Sequence, residues 1–410
     1  MFLKKSKLIG NHSLEIGGSK SISNRLLILK KLFDNIIIEN LSNSEDTQLL
    51  QKALESESTE IDIHHAGTAM RFLTSYYAIQ EGKTTILTGS DRMKQRPIKF
   101  LVDALRDLGA EISYLENDGF PPLKITGKKL NKSSVTIPAN ISSQFISSLM
   151  LIGAKLENGL EIILEGKITS RPYLEMTLKI LRSIGISTSW EENIIQISGE
   201  MQTEKNSQII PFIVESDWSS ASYFYSIAAI ARDTINLKYF KPYSLQGDSV
   251  LREIYWKFFG VNTISEGAES RISLLPENYF TFPEKIILDM NDCPDVAQTL
   301  CVTATAMNIP FEITGLGTLK VKETDRLLAL KNELFKIGCI AEITDDSISS
   351  QKFFEPNENI SIETYSDHRM AMSFAPFCLI KKLEILDENV VEKSYPDFWK
   401  DLESITEPSI

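Results

Sequence analysis

The sequence has few of the residues that usually build metal centres or disulfide frameworks. Its 410 residues include four cysteines and four histidines. The cysteines stand in apolar stretches without a C-x-x-C pair, at Cys293, Cys301, Cys339 and Cys378. This setting is typical of reduced core thiols in a cytoplasmic protein. His64 and His65, on a strand, would point to opposite faces. His12 has no neighbouring ligand, and His368 is the only other histidine. No metal site is therefore expected.

Basic residues and long apolar runs are also scarce. The 43 Lys and Arg against 55 Asp and Glu give a formal net charge of −12. This balance argues against a nucleic-acid partner, because proteins that bind the phosphate backbone are usually basic. No uncharged apolar run approaches the length of a membrane-spanning helix, so no membrane partner is expected. The N-terminal stretch has no long apolar core and no small-residue cleavage site, which predicts a cytoplasmic protein.

A repeat runs through most of the chain. Four helical stretches each end at a glycine that is followed by an alternating strand, at Gly109, Gly185, Gly260 and Gly338. The intervals between these glycines are 76, 75 and 78 residues, a regularity not expected from chance helix stops. The nearest match upstream is a helix that ends near Leu54 without a glycine, and the nearest match downstream is a helix that ends near residue 405, both at shortened intervals. The sequence therefore predicts six units of one α/β repeat.

Six such units exceed what a single core supports, so the chain is expected to form more than one domain. A polar segment without periodicity, residues 199–208, separates the third unit from the fourth. It is the predicted crossing between two halves of three units each, and ligand sites favour the cleft between such halves.

The stretch GGSKSISNR, residues 17–25, combines glycines, hydroxyls and cations before an apolar helix. It is not a P-loop, because it lacks the G-x-x-x-x-G-K-[ST] spacing. One interpretation is a helix cap formed by Ser21 or Ser23. The other is an anion site at a helix N-terminus.

Cations and hydroxyl donors recur at other predicted helix starts. The set comprises Lys20, Arg25, Arg92, Lys94, Arg96, Lys322, Arg326, His368, Arg369 and Lys393, with Ser142, Ser143, Gln144, Ser170 and Tyr173. Each residue alone is explained by capping or solvation. Together they indicate a small, multiply anionic ligand, because a cation at a helix N-terminus opposes the helix dipole. Asp295 and Glu323 accompany this set, either as caps or as proton carriers.

Eight motifs then occur in a fixed order: GSKSxSNR, AGTAMR, RMKxRP, SSQF, PDxA, VKETDR, DHRMAM and K-x-x-PDF. With them the chain resembles the 5-enolpyruvylshikimate-3-phosphate (EPSP) synthase family along essentially its whole length. The resemblance implies an α/β fold of two globular halves, each of three βαβαββ units (an inverse α/β barrel), with the active site in the cleft between them. It assigns residues 17–213 to the first half, and residues 1–16 with 214–410 to the second. The first unit is expected to lack some strands and a helix.

The resemblance implies a 3-phosphoshikimate 1-carboxyvinyltransferase of chorismate and aromatic amino acid biosynthesis. Such an enzyme transfers the enolpyruvyl group of phosphoenolpyruvate to the 5-hydroxyl of shikimate 3-phosphate and releases phosphate. Both substrates are small anions, and no metal or organic cofactor is required. A monomer is expected.

Roles for individual residues follow from the same resemblance. Asp295 would receive the 5-hydroxyl proton, Glu323 would protonate the methylene carbon, and Lys20 would contact both substrates. Phosphoenolpyruvate would be held by Lys20, Gly67, Arg96, Gln144, Arg326, Arg369 and Lys393. Shikimate 3-phosphate would be held by Lys20, Ser21, Arg25, Ser142, Ser143, Gln144, Ser170, Tyr173, Asp295 and Lys322. His65 and Thr318 stand where the family usually has asparagine, and their roles and that of His368 are left open. Glyphosate would compete with phosphoenolpyruvate beside Gly67.

Two other functions remain open. The related enolpyruvyl transferase that acts on UDP-N-acetylglucosamine has asparagine after its first lysine and a reactive cysteine in a mobile loop. Here Ser21 follows Lys20, and the stretch GSDRMKQRP has no cysteine. A non-catalytic anion-binding protein of the same fold is the second alternative, and the intact Asp295, Glu323 and Lys20 speak against it.

Overall fold

The computed structural model describes residues 1–9, 13–201, 209–266 and 270–409. The chain forms two compact units. The continuous unit is Ser19–Val214, and the split unit joins Met1–Gly18 to Glu215–Ile410. His12 and most of the predicted crossing segment 199–208 lie outside the described residues. None of the helices in the described ranges is both long and apolar enough to span a bilayer.

The helices, in chain order, are α1 (Lys20–Leu32), α2 (Glu45–Glu55), α3 (Gly67–Ala78), α4 (Lys99–Asp107), α5 (Ser143–Gly153), α6 (Arg171–Ser183), α7 (Trp218–Ala231), α8 (Leu251–Phe259), α9 (Ala297–Ala306), α10 (Arg326–Lys336), α11 (His368–Phe374) and α12 (Phe398–Ile405). Short 3₁₀ turns precede several of them, among them Pro294–Val296 before α9 and Gly317–Val321 before α10.

The strands are β1 (Phe2–Leu3), β2 (Ser6–Leu8), β3 (Ser13–Glu15), β4 (Ile36–Glu39), β5 (Glu60–Asp62), β6 (Thr84–Thr88), β7 (Glu111–Tyr114), β8 (Leu123–Thr126), β9 (Ser134–Pro138), β10 (Leu160–Glu165), β11 (Ile186–Glu191), β12 (Ile194–Met201), β13 (Ile210–Ile213), β14 (Ile235–Lys238), β15 (Val261–Glu266), β16 (Arg271–Pro276), β17 (Ile286–Asp289), β18 (Phe311–Thr314), β19 (Cys339–Ile343), β20 (Ile348–Phe353), β21 (Ile360–Ile362), β22 (Leu383–Ile385) and β23 (Thr406–Pro408).

Four sheets repeat one topology. Their strand orders are β5-β6-β8-β7 and β9-β10-β12-β11 in the continuous unit, and β3-β14-β16-β15 and β17-β18-β20-β19 in the split unit. In each sheet the first pair is parallel and the other two pairs are antiparallel. In three of these sheets the elements follow one another in the order βαβαββ. The chain is therefore a mixed α/β protein with an internal repeat, as the glycine intervals predict.

The first unit of the repeat is the shortest. Its β4 pairs in parallel with the distant β13, and this sheet has two strands in the described part of the chain. The predicted helix ending near Leu54 is confirmed as α2, and with α1 it gives the two helices of a βαβαββ unit, so the expected loss of a helix is wrong. Ser44 caps α2 by accepting a hydrogen bond from the Thr47 N–H, and the buried Leu50 and Leu54 hold it to the core.

The predicted helix stops are confirmed at all four repeat glycines. Their φ angles are 103°, 94°, 63° and 96° at Gly109, Gly185, Gly260 and Gly338, in the left-handed region that favours glycine. At Gly338 a methyl group would also lie 2.3 Å from the carbonyl oxygen of Phe354. Helix and strand therefore join at a point that no larger residue fits without strain.

Three helices of the continuous unit and three of the split unit are buried on nearly all sides, as expected for helices at the centre of a core. They are α1, α3 and α5 in the continuous unit and α7, α9 and α11 in the split unit. Their small polar side chains bond to one another, as Thr299 of α9 does with Ser222 of α7 at 3.1 Å and Ser373 of α11 at 3.0 Å. The first residues of these helices include Lys20, Gly67, Ser143 and His368. The first residues of these buried helices therefore include several of the predicted site residues.

Candidate active site

In the split unit the predicted site residues gather around the guanidinium of Arg326, the first residue of α10. Its Nη1 donates to Asp295 Oδ1 at 3.0 Å, its Nη2 to Glu323 Oε2 at 2.8 Å and its Nε to Asp367 Oδ2 at 2.6 Å. Burial would lower the pKa of Arg326, but the three carboxylates raise it above its ordinary value. One fixed cation therefore positions both predicted proton carriers.

Asp295 lies in the turn before α9 and faces three cations. Lys322 Nζ is 3.4 Å from its Oδ1, and Arg369 Nη2 is 3.5 Å from its Oδ2. Burial by itself would raise the pKa of Asp295, but Lys322, Arg369 and Arg326 outweigh it and hold this pKa well below its usual range. Asp295 is therefore an ionised carboxylate whose readiness to take a proton depends on the cations around it.

Glu323 is held between two cations. Lys393 Nζ lies 2.9 Å from its Oε1, while Arg326 occupies its Oε2. Lys393 is itself buried. The ammonium of Lys393, from the turn before α12, is thereby placed beside the predicted acid.

Arg369 is supported by three side chains that motif reasoning did not single out. Asp367 caps α11 by accepting the Arg369 N–H at 2.8 Å. Arg369 Nη2 donates to Ser219 Oγ at 3.3 Å, and the Ser219 hydroxyl donates to Asp248. Burial raises the pKa of Asp248 to about 6. The sequence signal for Asp367 was an acid directly before a helix start, whereas Asp248 and Ser219 are distant in the chain and gave none.

The structure leaves the roles of Thr318 and His368 unassigned. Thr318 lies in the 3₁₀ turn before α10, and its buried Oγ1 has no hydrogen-bond partner among the residues that the structure describes. His368 is buried at the start of α11, with Nδ1 3.6 Å from Asp367 Oδ1.

In the continuous unit α1 begins at Lys20. The Ile22 N–H is 3.5 Å from Ser19 Oγ, so Ser19 is the cap. The predicted cap at Ser21 or Ser23 is wrong, because both residues already lie inside the helix. Lys20 Nζ is 3.2 Å from Asp46 Oδ2 in the first turn of α2. Asp46 is a second positioning carboxylate that sequence reasoning missed.

Arg25 is buried and its donors are directed at hydroxyl and carbonyl oxygens. Nε donates to Thr177 Oγ1 at 2.8 Å and Nη2 to Ser147 Oγ at 3.0 Å. The carbonyls of Ser21 and Tyr173 accept at 2.9 and 3.3 Å. Burial lowers the pKa of Arg25 to about 10. Arg25 therefore contacts Ser21 and Tyr173 through their backbone carbonyls.

The predicted hydrogen-bond donors near α5 and α6 lie at the N-termini of these two helices. Ser142 caps α5 by accepting the Gln144 N–H at 3.3 Å, and Ser143 is the first helical residue. Gln144 Nε2 donates to Thr68 Oγ1 of α3 at 3.2 Å. Ser170 precedes α6 in a left-handed conformation, with φ of 52°.

Gly67 begins α3 directly against the guanidinium of Arg96. A methyl group at Gly67 would lie 2.5 Å from Arg96 Nη1 and 3.0 Å from Cζ. Arg71, one turn further along α3, donates to the carbonyls of Gly67 and Pro97, each at 3.2 Å. The absence of a side chain at Gly67 therefore lets Arg96 lie across the start of this helix.

His64 and His65 form a turn after β5, so the expectation that they point to opposite faces of a strand is wrong. The φ of 48° at His64 reverses the backbone direction. The two Nδ1 atoms are 2.8 Å apart, and His65 Nε2 is 3.1 Å from Glu45 Oε2. The argument against a metal site at these histidines does not hold.

Sequence comparisons identify relatives that cover nearly the whole chain. Residues 50–402 match the profile of the family described as EPSP synthase (3-phosphoshikimate 1-carboxyvinyltransferase). A 3-phosphoshikimate 1-carboxyvinyltransferase from Bacteroides fragilis (strain YCH46) is 45% identical over 395 residues, 95% of this chain and 94% of the relative. One from Haemophilus influenzae (strain PittGG) is 35% identical over 428 residues, 96% of each chain.

Structural comparisons give the same fold. EPSP synthase from Acinetobacter baumannii superposes with a TM-score of 0.70 at 22% identity and covers 99% of both chains. The enolpyruvyl transferase NikO from Streptomyces tendae reaches 0.71 at 12% identity, covering 99% of this chain and 98% of its own. These two likenesses concern the fold alone.

Proposed function

The chain belongs to the EPSP synthase family, and we propose that it transfers the enolpyruvyl group of phosphoenolpyruvate to the 5-hydroxyl of shikimate 3-phosphate, releasing phosphate. The observation that carries this proposal is the single guanidinium of Arg326, which holds both Asp295 and Glu323. Relatives named for 3-phosphoshikimate make the UDP-N-acetylglucosamine alternative the weaker one.

The reaction needs two proton transfers in its addition step and two in its elimination step. Addition of the 5-hydroxyl oxygen to C2 of phosphoenolpyruvate removes a proton from that hydroxyl and delivers one to C3, which becomes a methyl group. Elimination then breaks the C2–O bond to phosphate, the methyl group returns a proton to the acid that delivered it, which restores the double bond, and the proton taken from the 5-hydroxyl leaves with the phosphate. Two carboxyl groups held at one cation suit this pair of tasks.

We assign the hydroxyl proton to Asp295 and the C3 proton to Glu323. In the unliganded protein, Lys322, Arg369 and Arg326 keep the pKa of Asp295 too low for an effective base. Anionic groups of the substrates would neutralise some of these cations, and the pKa of Asp295 would then rise toward a useful range. The base is thus activated by the substrates that need it.

The cations of both units have matching roles in binding. Arg326, Arg369 and Lys393 of the split unit would neutralise phosphoenolpyruvate together with Lys20 and Arg96 of the continuous unit. Gly67 and Gln144 would contribute backbone and amide contacts to phosphoenolpyruvate. The family arrangement of two halves as an inverse α/β barrel, with one cleft for both substrates, belongs to this proposal.

Shikimate 3-phosphate would be bound largely by hydroxyl and basic side chains. Its carboxylate would pair with Arg25, whose burial strengthens any such contact. Its phosphate would be surrounded by the donors before α5 and α6 and before α10, namely Ser142, Ser143, Ser170 and Lys322. Ser21, Tyr173 and Gln144 complete the set. We expect a cytoplasmic monomer.

Asp295→Asn and Glu323→Gln test the assignment of the proton carriers. Each variant should lower kcat by about 10²–10⁴-fold, while calorimetry should still detect binding of shikimate 3-phosphate. Asp292→Asn, an exposed acid three residues from Asp295, is the matched control and should keep wild-type kcat. Loss of ligand binding together with the fold in either variant would make that acid structural.

A further inference from the structure

Glu45, His64 and His65 form a cluster of metal-type ligands at the start of α2 and the turn before α3. Each offers one ligand atom, and the three atoms lie within 4.8 Å of one another. Glu45 and His65 are partly exposed and His64 is exposed. The cluster therefore lies at the surface, with His65 Nε2 as a buried atom within it. None of the proton transfers proposed for the reaction uses it.

The backbone of the His64 turn is fixed by its neighbours. The His64 N–H donates to Asp62 Oδ1 at 2.7 Å, and the His64 carbonyl accepts from the Ser90 N–H at 2.9 Å. A methyl group at Gly89 would lie 2.5 Å from that carbonyl oxygen. The strand end, Ser90 and Gly89 thus hold His64 in its left-handed conformation. The fold therefore fixes the backbone position from which the His64 ring contacts His65.

We propose that Glu45, His64 and His65 form a binding site for Zn²⁺ or a similar divalent transition-metal cation. Two imidazole nitrogens and one carboxylate oxygen are a donor set that suits zinc rather than magnesium or calcium. With zinc-to-ligand distances of about 2.0–2.2 Å, tetrahedral ligand atoms lie roughly 3.3 Å apart. To bind an ion the three side chains would rotate so that their ligand atoms, now within 4.8 Å of one another, come to this spacing. Three protein ligands leave a fourth position for water.

An ion here would join two segments that carry residues of the proposed active site. Asp46, next to Glu45, pairs with Lys20, and Gly67, two residues after His65, lies against Arg96. The bound ion would also replace the present contacts among the three side chains by stronger metal–ligand bonds. Its expected effect is a higher melting temperature of the metal-loaded protein.

Calorimetric titration of the full chain with Zn²⁺, checked by competition with a chromogenic chelator, tests the site directly. We expect one Zn²⁺ per chain and no competition from Mg²⁺. Glu45→Gln, His64→Asn and His65→Asn should each weaken binding by at least about tenfold. Asparagine is chosen at position 64 because it tolerates positive φ. Glu60→Gln, an exposed carboxylate of β5, is the control and should bind as the wild type does.

A pH series gives an independent readout. Because metal-bound imidazoles must be unprotonated, zinc affinity should fall as the pH is lowered. The proposal is overturned if the wild type binds no Zn²⁺, if Mg²⁺ displaces it, or if the double variant His64→Asn/His65→Asn keeps wild-type affinity. Since binding and melting temperature are measured without substrates, failure here is distinct from failure of the proposed enzyme activity.

Discussion

Replacement of Gly67 by alanine should weaken phosphoenolpyruvate binding through Arg96. The new methyl group would lie 2.5 Å from Arg96 Nη1, so the guanidinium must retreat by about 0.9 Å to reach an ordinary contact. A shift of this size lengthens one charge-assisted hydrogen bond to the substrate, and such bonds contribute about 1.5–3 kcal/mol. Loss of the lower part of this range raises the KM for phosphoenolpyruvate about tenfold, since 1.4 kcal/mol corresponds to a factor of ten.

Steady-state kinetics at saturating shikimate 3-phosphate measures this effect. We expect kcat to change less than the KM for phosphoenolpyruvate. Inhibition by glyphosate should weaken most, because the resemblance places the added methyl group against the inhibitor. The Arg96→Lys background is the control, since the slimmer ammonium removes the steric conflict and the Gly67→Ala change should then cost less. An unchanged KM in Gly67→Ala, or an equal effect in both backgrounds, would refute the reasoning.

Three further expectations follow from the structure. Glyphosate should compete with phosphoenolpyruvate in the wild type and in His65→Asn; a resistant wild type with a sensitive His65→Asn would show that the histidine decides. Asp248 has its pKa raised by burial to about 6 from an ordinary 3.8, so the folded protein keeps a proton that the unfolded chain releases, and stability should fall as the pH rises from 4 to 6. In denaturant unfolding, the free energy of unfolding of Asp248→Asn should decrease over this pH range by up to about 3 kcal/mol less than that of the wild type. A difference between the two proteins that does not vary with pH would contradict the burial argument. Gly338→Ala should lower the melting temperature more than Gly166→Ala does. Both glycines have positive φ, but an added methyl group meets neighbouring atoms within 4 Å at Gly338 and not at Gly166. Equal melting temperatures would count against this steric explanation.

Local signals in the sequence were sufficient to predict the repeat. A helix followed by glycine and an alternating strand depends on backbone rules within a few residues, and Gly109, Gly185, Gly260 and Gly338 obey them. The helix ending near Leu54 was predicted and is α2, whereas the expected loss of a helix from the first unit came from comparing its length with a family pattern. The capping signal of α2 at Ser44 was present in the sequence.

Site residues that belong to a motif could be predicted from the sequence, but the side chains that position those residues could not. Lys20 and Arg369 stand in recognisable stretches, but Asp46, which pairs with Lys20, and Asp248, which is linked to Arg369 through Ser219, are distant in the chain. Pairing across such distances is set by the fold. The His64–His65 turn was also missed, because positive φ at a histidine cannot be read from two adjacent letters. Such conformations depend on neighbours that bond the backbone from other elements.

The most direct test of the proposed activity is phosphate release by the wild-type protein supplied with shikimate 3-phosphate and phosphoenolpyruvate. We predict stoichiometric phosphate and enolpyruvyl product only when both substrates are present, without added metal. UDP-N-acetylglucosamine in place of shikimate 3-phosphate should give none. No phosphate release at high enzyme concentration, with both substrates shown to bind by calorimetry, would contradict the enzyme assignment and favour a non-catalytic anion-binding protein of the same fold.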